Sequence, residues 1–159
     1  MTCAIRPATA VDAAVIHRLV SELAVFERAP DASVNTPENL AAQLAQDPPP
    51  FGCLIAERDG AAIGFALYFF NYSTWTGRPG LYVEDLYVTP EARGIGAGKA
   101  LFLALAGIAR ERGCGRMEWS VLDWNRGAID FYRSFGAEPM DEWTTFRLDR
   151  AGMEKLEGG

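Results

Sequence analysis

Gly94, Gly96 and Gly98 stand at alternate positions in the run Arg93-Gly94-Ile95-Gly96-Ala97-Gly98-Lys99. Glycines so spaced let a backbone come close to a ligand, and a helix opening behind them points its first amides outward. The two features together bind phosphate. Several loop types use that device. A Walker loop needs a glycine five residues ahead of the Gly-Lys pair and a Ser or Thr after it. Here position 93 is Arg and position 100 is Ala. A dinucleotide fingerprint needs Gly at 94, 96 and 99 within a parallel βαβ unit, and position 99 is Lys. The pattern that fits is Arg-x-x-Gly-x-Gly, directly after Leu86-Tyr87-Val88 and at the start of a helix.

Glu84 and Asp85 interrupt an otherwise apolar strand just ahead of that turn. A carboxylate in such a setting is open to a burial-raised pKa. Successive strand residues face opposite sides, so the two can serve one site only if a bulge breaks the alternation. Other reactive side chains are sparse. His17 is the single histidine, beside Arg18 in a helical stretch, and reads as a surface or satisfied residue. Cys3, Cys53 and Cys114 are widely spaced and form no C-x-x-C pair, so neither a disulfide framework nor a metal site is expected. The net charge of −6 argues against a general nucleic-acid binder and is compatible with a cationic ligand.

These groups need elements to hold them. The order read from the periodicity is β-α-α-β-β-β-α-β-α-β. It predicts a strand over 2–6 and a helix from Thr9, boxed by Asp12 and striped by Val15, Ile16, Leu19, Val20 and Leu23. A second helix starts at Thr36-Pro37 and buries Leu40 and Leu44. Strands over 52–57 and 62–72 turn at Asp59-Gly60, a loop occupies 73–80, and a strand follows over 81–88. The helix over 96–112 carries Leu101, Leu105 and Ile108 inward. A strand over 117–122, a helix over 125–135 and a last strand over 144–148 complete the chain, with 151–159 as a frayed tail. This is one α+β domain spanning 1–159, with a mixed, mostly antiparallel sheet of six to seven strands and helices on both faces. With Arg6 and Pro7 near the start and no apolar h-region, no signal peptide is expected. The longest apolar run, 61–70, is too short for a membrane span, so a cytoplasmic location is expected.

The glycine motif in its place after the strand resembles the acetyl-CoA pyrophosphate motif of the GCN5-related N-acetyltransferases. The likeness runs on through Ile5-Arg6-Pro7-Ala8, Val83-Glu84-Asp85-Leu86-Tyr87-Val88, Trp124-Asn125, Phe131-Tyr132-Arg133 and Gly136-Ala137. It is similar in particular to the diamine branch, the spermidine/spermine N1-acetyltransferases and thialysine N-epsilon-acetyltransferases. That resemblance implies acetyl-CoA as donor, with its arm along Leu86, Tyr87 and Val88 and its pyrophosphate on Arg93, Gly94, Ile95, Gly96, Ala97, Gly98 and Lys99. Asn125 and Tyr132 would also touch the cofactor. Glu84 would be general base through water and Tyr132 general acid. Glu84, Asp85, Tyr72, Trp75, Glu142 and Trp143 would border a small amine. A homodimer burying the region of Trp143 and Phe146 is implied as well.

Acetyl transfer needs a neutral amine, a polarised thioester carbonyl and a proton for the departing thiolate. An alkylammonium near pKa 10.4 and a Glu near 4.3 differ by about 6 units, or roughly 8 kcal/mol of uphill transfer. Glu84 can act only with a raised pKa, a lowered amine pKa or a water path for the proton. A phenol near about 10 is better matched to a thiolate, which suits Tyr132. The acceptor stays open between a polyamine, a lysine analogue, another amino acid, an aminoglycoside and a protein N-terminus. A non-catalytic acetyl-CoA sensor is the rival from another class, although it would need neither Glu84 nor Tyr132.

Overall fold

A computed structural model of the chain describes residues 3–158. Met1, Gly159 and the first residue of the predicted strand, Thr2, lie outside the described residues. The chain divides after Leu122 into two compact units.

The first unit is built on one sheet of five strands in the order β1-β2-β3-β4-β5. Its strands are β1 (Ala4–Pro7), β2 (Gly52–Arg58), β3 (Ala61–Ser73), β4 (Arg78–Val88) and β5 (Arg116–Trp119). The first three pairings are antiparallel and β4 with β5 is parallel. The expected six to seven strands are therefore five among the described residues. Segment 144–148, predicted as a strand, carries no ladder. Its residues have strand character, but a ladder also needs a neighbouring backbone, which local composition cannot supply.

The β2–β3 hairpin turns at Asp59-Gly60, both at positive φ (53° and 78°) as a two-residue primed turn requires. The loop expected over 73–80 is shorter. Ser73 Oγ accepts from the Thr76 amide at 3.1 Å and the Gly77 amide donates to the Ser73 carbonyl at 2.9 Å. This closes the turn in four residues and lengthens both strands.

Side-chain alternation sends the two sheet faces to different helices. On one face Leu54, Ala56, Ala66, Leu81 and Val83 pack with Leu101, Leu105 and Ala109 of α3 (Ala97–Glu111). On the other, Cys53, Ile55, Phe65 and Tyr87 pack with Ile16, Leu19 and Leu23 of α1 (Ala13–Phe26) and Leu40 of α2 (Pro37–Leu44). Thr36 caps α2 by accepting from the Asn39 amide at 3.1 Å, with Pro37 at the first helical position.

The second unit holds α4 (Arg126–Arg133) and α5 (Arg150–Glu157). Asn125 caps α4 through its side chain, which accepts from the Ala128 amide at 3.2 Å. Helix α5 occupies most of the segment expected to fray, and Asp149 accepts from the Gly152 amide at 2.8 Å to start it.

A polar fastening ties the first unit's opening elements together. The buried Asp12 carboxylate takes two bonds from Arg6, at 2.8 and 2.9 Å, and one from the Thr9 amide at 2.8 Å. Arg6 also donates through Nε to Glu57 on β2 at 2.9 Å. These bonds hold the Asp12 carboxyl below its ordinary pKa, Arg6 contributing most. Asp12→Asn should lower stability at neutral pH by about 1–3 kcal/mol, read from urea unfolding. The folded pKa is depressed, so this stability is present above the unfolded value of about 3.9 and lost as pH falls. Wild-type and variant midpoints should converge in acid.

Candidate active site

Strand β4 positions the chemistry. Its register against β3 pairs Asp85 with Leu67 and Val83 with Tyr68, so Glu84 is an extra residue with no partner. The packing confirms the insertion. Leu81 and Val83 face α3, yet beyond the interruption Leu86 and Val88 face α3 and Tyr87 faces α1. Parity has switched from odd to even, which leaves Glu84 and Asp85 free to point to the same, α1-side face. The condition posed by the sequence is met.

Both carboxylates line a cavity of about 270 Å³ on that face. His17 of α1, Ser33 and Asn35 of the following loop and Gln43 of α2 face them, among apolar neighbours that include Leu67. Glu84 is exposed and Asp85 is half-buried. Burial pushes the Asp85 carboxyl up to about 6, and the charges of Glu84 and Glu27 add to the effect. The sequence attaches a burial-raised pKa to Glu84; the structure places one on Asp85.

Glu27 escaped the sequence reading. It caps the C-terminal end of α1, where an anion opposes the helix dipole, and burial raises its own pKa. An acid at that end of a helix was the available signal.

Beyond the bulge, β4 is half-open. β5 pairs only with Gly80 to Val83, so among the described residues no strand lies beside the backbone edge at Leu86, Tyr87 and Val88 on that side. This edge leads through a single 3-10 turn, Pro90–Ala92, into the glycine run. Gly94 and Gly96 sit at φ 87° and 88°, a region that L side chains avoid, and a Cβ at either would meet nothing within 4 Å. Backbone conformation, not crowding, demands glycine there, and the space above stays open. Gly98 already lies in the first turn of α3. Gly96 is the helix's N-cap and offers no side-chain bond, so the first amides, at Ala97, Gly98 and Lys99, are left to a ligand. An open cradle of glycine backbone and uncapped amides fits the pyrophosphate of acetyl-CoA.

Arg93 is tied by its side chain to the end of β4 and of α1. Nε donates to the Val88 carbonyl at 3.2 Å, and the guanidinium lies 4.9 Å from the Phe26 ring centroid and 5.9 Å from that of Tyr87. It braces the turn against the end of α1. Tyr72 and Trp75 stand exposed at the tip of the β3–β4 hairpin and do not line the cavity. In the second unit, Tyr132 lies on α4 with its ring edge-on to Phe131 at 5.3 Å. Glu142 and Trp143 are exposed in the segment without regular structure, where the Trp143 amide donates to the Met140 carbonyl at 3.1 Å.

Residues 16–137 match the model of the acetyltransferase (GNAT) family. The chain is 38% identical to thialysine N-epsilon-acetyltransferase of Sus scrofa, over 97% of this chain and 96% of that one. It is also 38% identical to spermidine/spermine N(1)-acetyltransferase-like protein 1 of Homo sapiens, over 92% of this chain and 22% of the other. Among solved structures, an integron cassette protein from the mobile metagenome of V. cholerae superposes with a TM-score of 0.81 at 26% identity, covering 100% and 99% of the two chains.

The Asp85 shift makes a stability prediction. Its folded pKa of about 6 lies above the unfolded value of about 3.9, so ionising it costs the folded state once pH rises through that interval. Asp85→Asn should stabilise the protein at pH 7.5 by on the order of 1 kcal/mol. The gain should vanish below about pH 4, in thermal unfolding followed across that range.

Proposed function

This chain belongs to the acetyltransferase (GNAT) family and is an acetyl-CoA-dependent N-acetyltransferase acting on amines, and we propose that its acceptor is the primary amine of a small cationic molecule, a polyamine or a lysine analogue such as thialysine. One observation carries this reading: the β4 bulge turns Glu84 and Asp85 into one cavity beside an open strand edge and an open phosphate cradle. Two carboxylates with Glu27 nearby make a site that favours an ammonium over a neutral or anionic acceptor. The names of the diamine-branch relatives point the same way.

Acetyl-CoA, when bound, supplies the activated acetyl group. In the proposed reaction the chain's own residues do the rest. The amides of Gly94 to Lys99 hold the pyrophosphate, and the free edge at Leu86, Tyr87 and Val88 orients the arm, with Asn125 as a further contact. The Leu86 amide is the natural donor to a developing oxyanion. Asp85 binds the incoming ammonium, and the exposed Glu84 receives its proton through water. An ammonium beside two carboxylates keeps its own pKa high, so proton removal to solvent through Glu84 must precede attack. Tyr132 holds a phenolic proton of suitable basicity for the departing thiolate. Tyr72 and Trp75, exposed at the hairpin tip, are assigned to the outer approach of the acceptor.

The exposed apolar residues Met140, Trp143, Phe146 and Leu148, with Phe146 91% exposed, support a homodimer in which a second copy covers this strand-like segment. No described helix is long and apolar enough to cross a membrane, and we assign the enzyme to the cytoplasm.

Free-thiol release from acetyl-CoA, measured on spermidine, putrescine, thialysine, lysine and aminoglycosides, tests the reading. Turnover should be highest on the flexible diamines or thialysine and fall as pH drops through about 6, where Asp85 loses its charge. Glu84→Gln and Tyr132→Phe should each cut kcat by roughly 10²–10⁴-fold. Tight acetyl-CoA binding with no turnover on any amine would move the protein to the sensor class. For assembly, Phe146→Asp should shift a dimer to monomer in light scattering, and an unchanged mass would remove this surface from the interface.

A further inference from the structure

We propose that His17 is a specificity-determining positioning residue, pinning the α1–α2 loop as the hydrogen-bonding wall of the acceptor cavity. This rests on the reading of that cavity as the amine site.

The imidazole Nε2 lies 3.1 Å from the Asn35 carbonyl oxygen. A carbonyl only accepts, so Nε2 carries the hydrogen and donates it, leaving Nδ1 as an acceptor in the neutral ring. The bond spans α1 and the middle of the connecting loop, and both partners line the cavity. Asn35 passes the constraint on. Its Oδ1 accepts from the Thr36 amide at 2.9 Å and from the Asn39 side chain at 2.7 Å. Those two residues form the N-terminal cap of α2. Gln43, one turn beyond Asn39, is carried on the same helix to the cavity wall.

The cavity therefore has a division of labour. The sheet contributes its carboxylates, Glu84 and Asp85, whereas α1, the loop and α2 contribute polar side chains without a carboxylate: His17, Ser33, Asn35 and Gln43. Leu40 anchors α2 on α1 through apolar packing, and the bond from the imidazole to the Asn35 carbonyl fixes the polar stretch of the loop on α1. Losing it should loosen recognition of the acceptor's remote polar part and leave the reacting amine and the cofactor cradle untouched.

His17→Leu removes the donor, His17→Gln restores one, and Asp85→Asn serves as reference. Each is measured with thialysine for kcat and both KM values, and by calorimetric binding of thialysine to the CoA-loaded protein. We expect His17→Leu to raise the thialysine KM and Kd at least fivefold, with kcat and the acetyl-CoA KM within twofold, and His17→Gln to recover most of that loss. A parallel fall in kcat and both affinities, or no recovery with Gln, would mark a general folding effect and overturn the inference. An unchanged thialysine KM in His17→Leu would overturn it while leaving the amine site intact, provided Asp85→Asn weakens thialysine. If Asp85→Asn leaves thialysine binding unchanged, or the wild type does not bind it, the amine-site reading falls and His17 falls with it.

Discussion

A single unpaired residue in β4 governs how this molecule can act. A regular strand sends neighbouring side chains to opposite faces, so Glu84 and Asp85 would be divided between the α3 core and the α1 side. Placing a carboxylate among Leu54, Val83, Leu101 and Leu105 would bury a charge without a partner, at a cost of several kcal/mol. Inserting Glu84 outside the ladder avoids that. It keeps both acids on one face and restores apolar Leu86 and Val88 to the α3 core. The local loss is one unpaired position. On its other side, β3 holds β4 in register from Asp85 onward to Val88, which keeps the irregularity confined.

Crowding three carboxylates near one cavity opposes folding and favours function. Asp85 is raised to about 6 by burial first and by Glu84 and Glu27 after it. Above that pH the empty site carries charge that its surroundings solvate poorly. In the proposed reading a bound ammonium would reverse the balance by supplying the missing countercharge. Asp12 is the instructive contrast. Its side chain is largely hidden from solvent, yet Arg6 and the Thr9 amide satisfy it, and its pKa moves the opposite way. Shielding from solvent does not by itself raise a carboxyl pKa; desolvation without a compensating partner does.

Local signals were legible in the sequence and non-local ones were not. Asp59-Gly60, Thr36-Pro37 and the Leu101–Leu105 stripe each act within a few residues, and each formed what its chemistry demands. The paired carboxylates could be posed only as a condition, since a bulge is a relation between β4 and β3. The segment 144–148 has strand residues, but pairing depends on a backbone brought from elsewhere. Glu27 was missed for a related reason. It belongs to no motif, and its effect on Asp85 comes from α1 lying across the face onto which the bulge turns Glu84 and Asp85.

The same strand also explains why cofactor and acceptor can be recognised independently. A strand offers two kinds of surface: an edge of backbone groups and a face of side chains. Along β4 the edge at Leu86 to Val88 is left open because β5 ends its pairing at Val83. Its hydrogen bonds suit an extended arm of any sequence-independent kind, as in strand addition. The face, by contrast, presents Glu84 and Asp85 to whatever α1 and α2 set opposite them. In the proposed reading, residues of α1 and α2 that line the cavity act on the acceptor, whereas Phe26 at the end of α1 supports the turn through Arg93. In the proposed reading the donor is held by a backbone edge and the acceptor by a side-chain face of the same strand, and the wall opposite that face begins at His17.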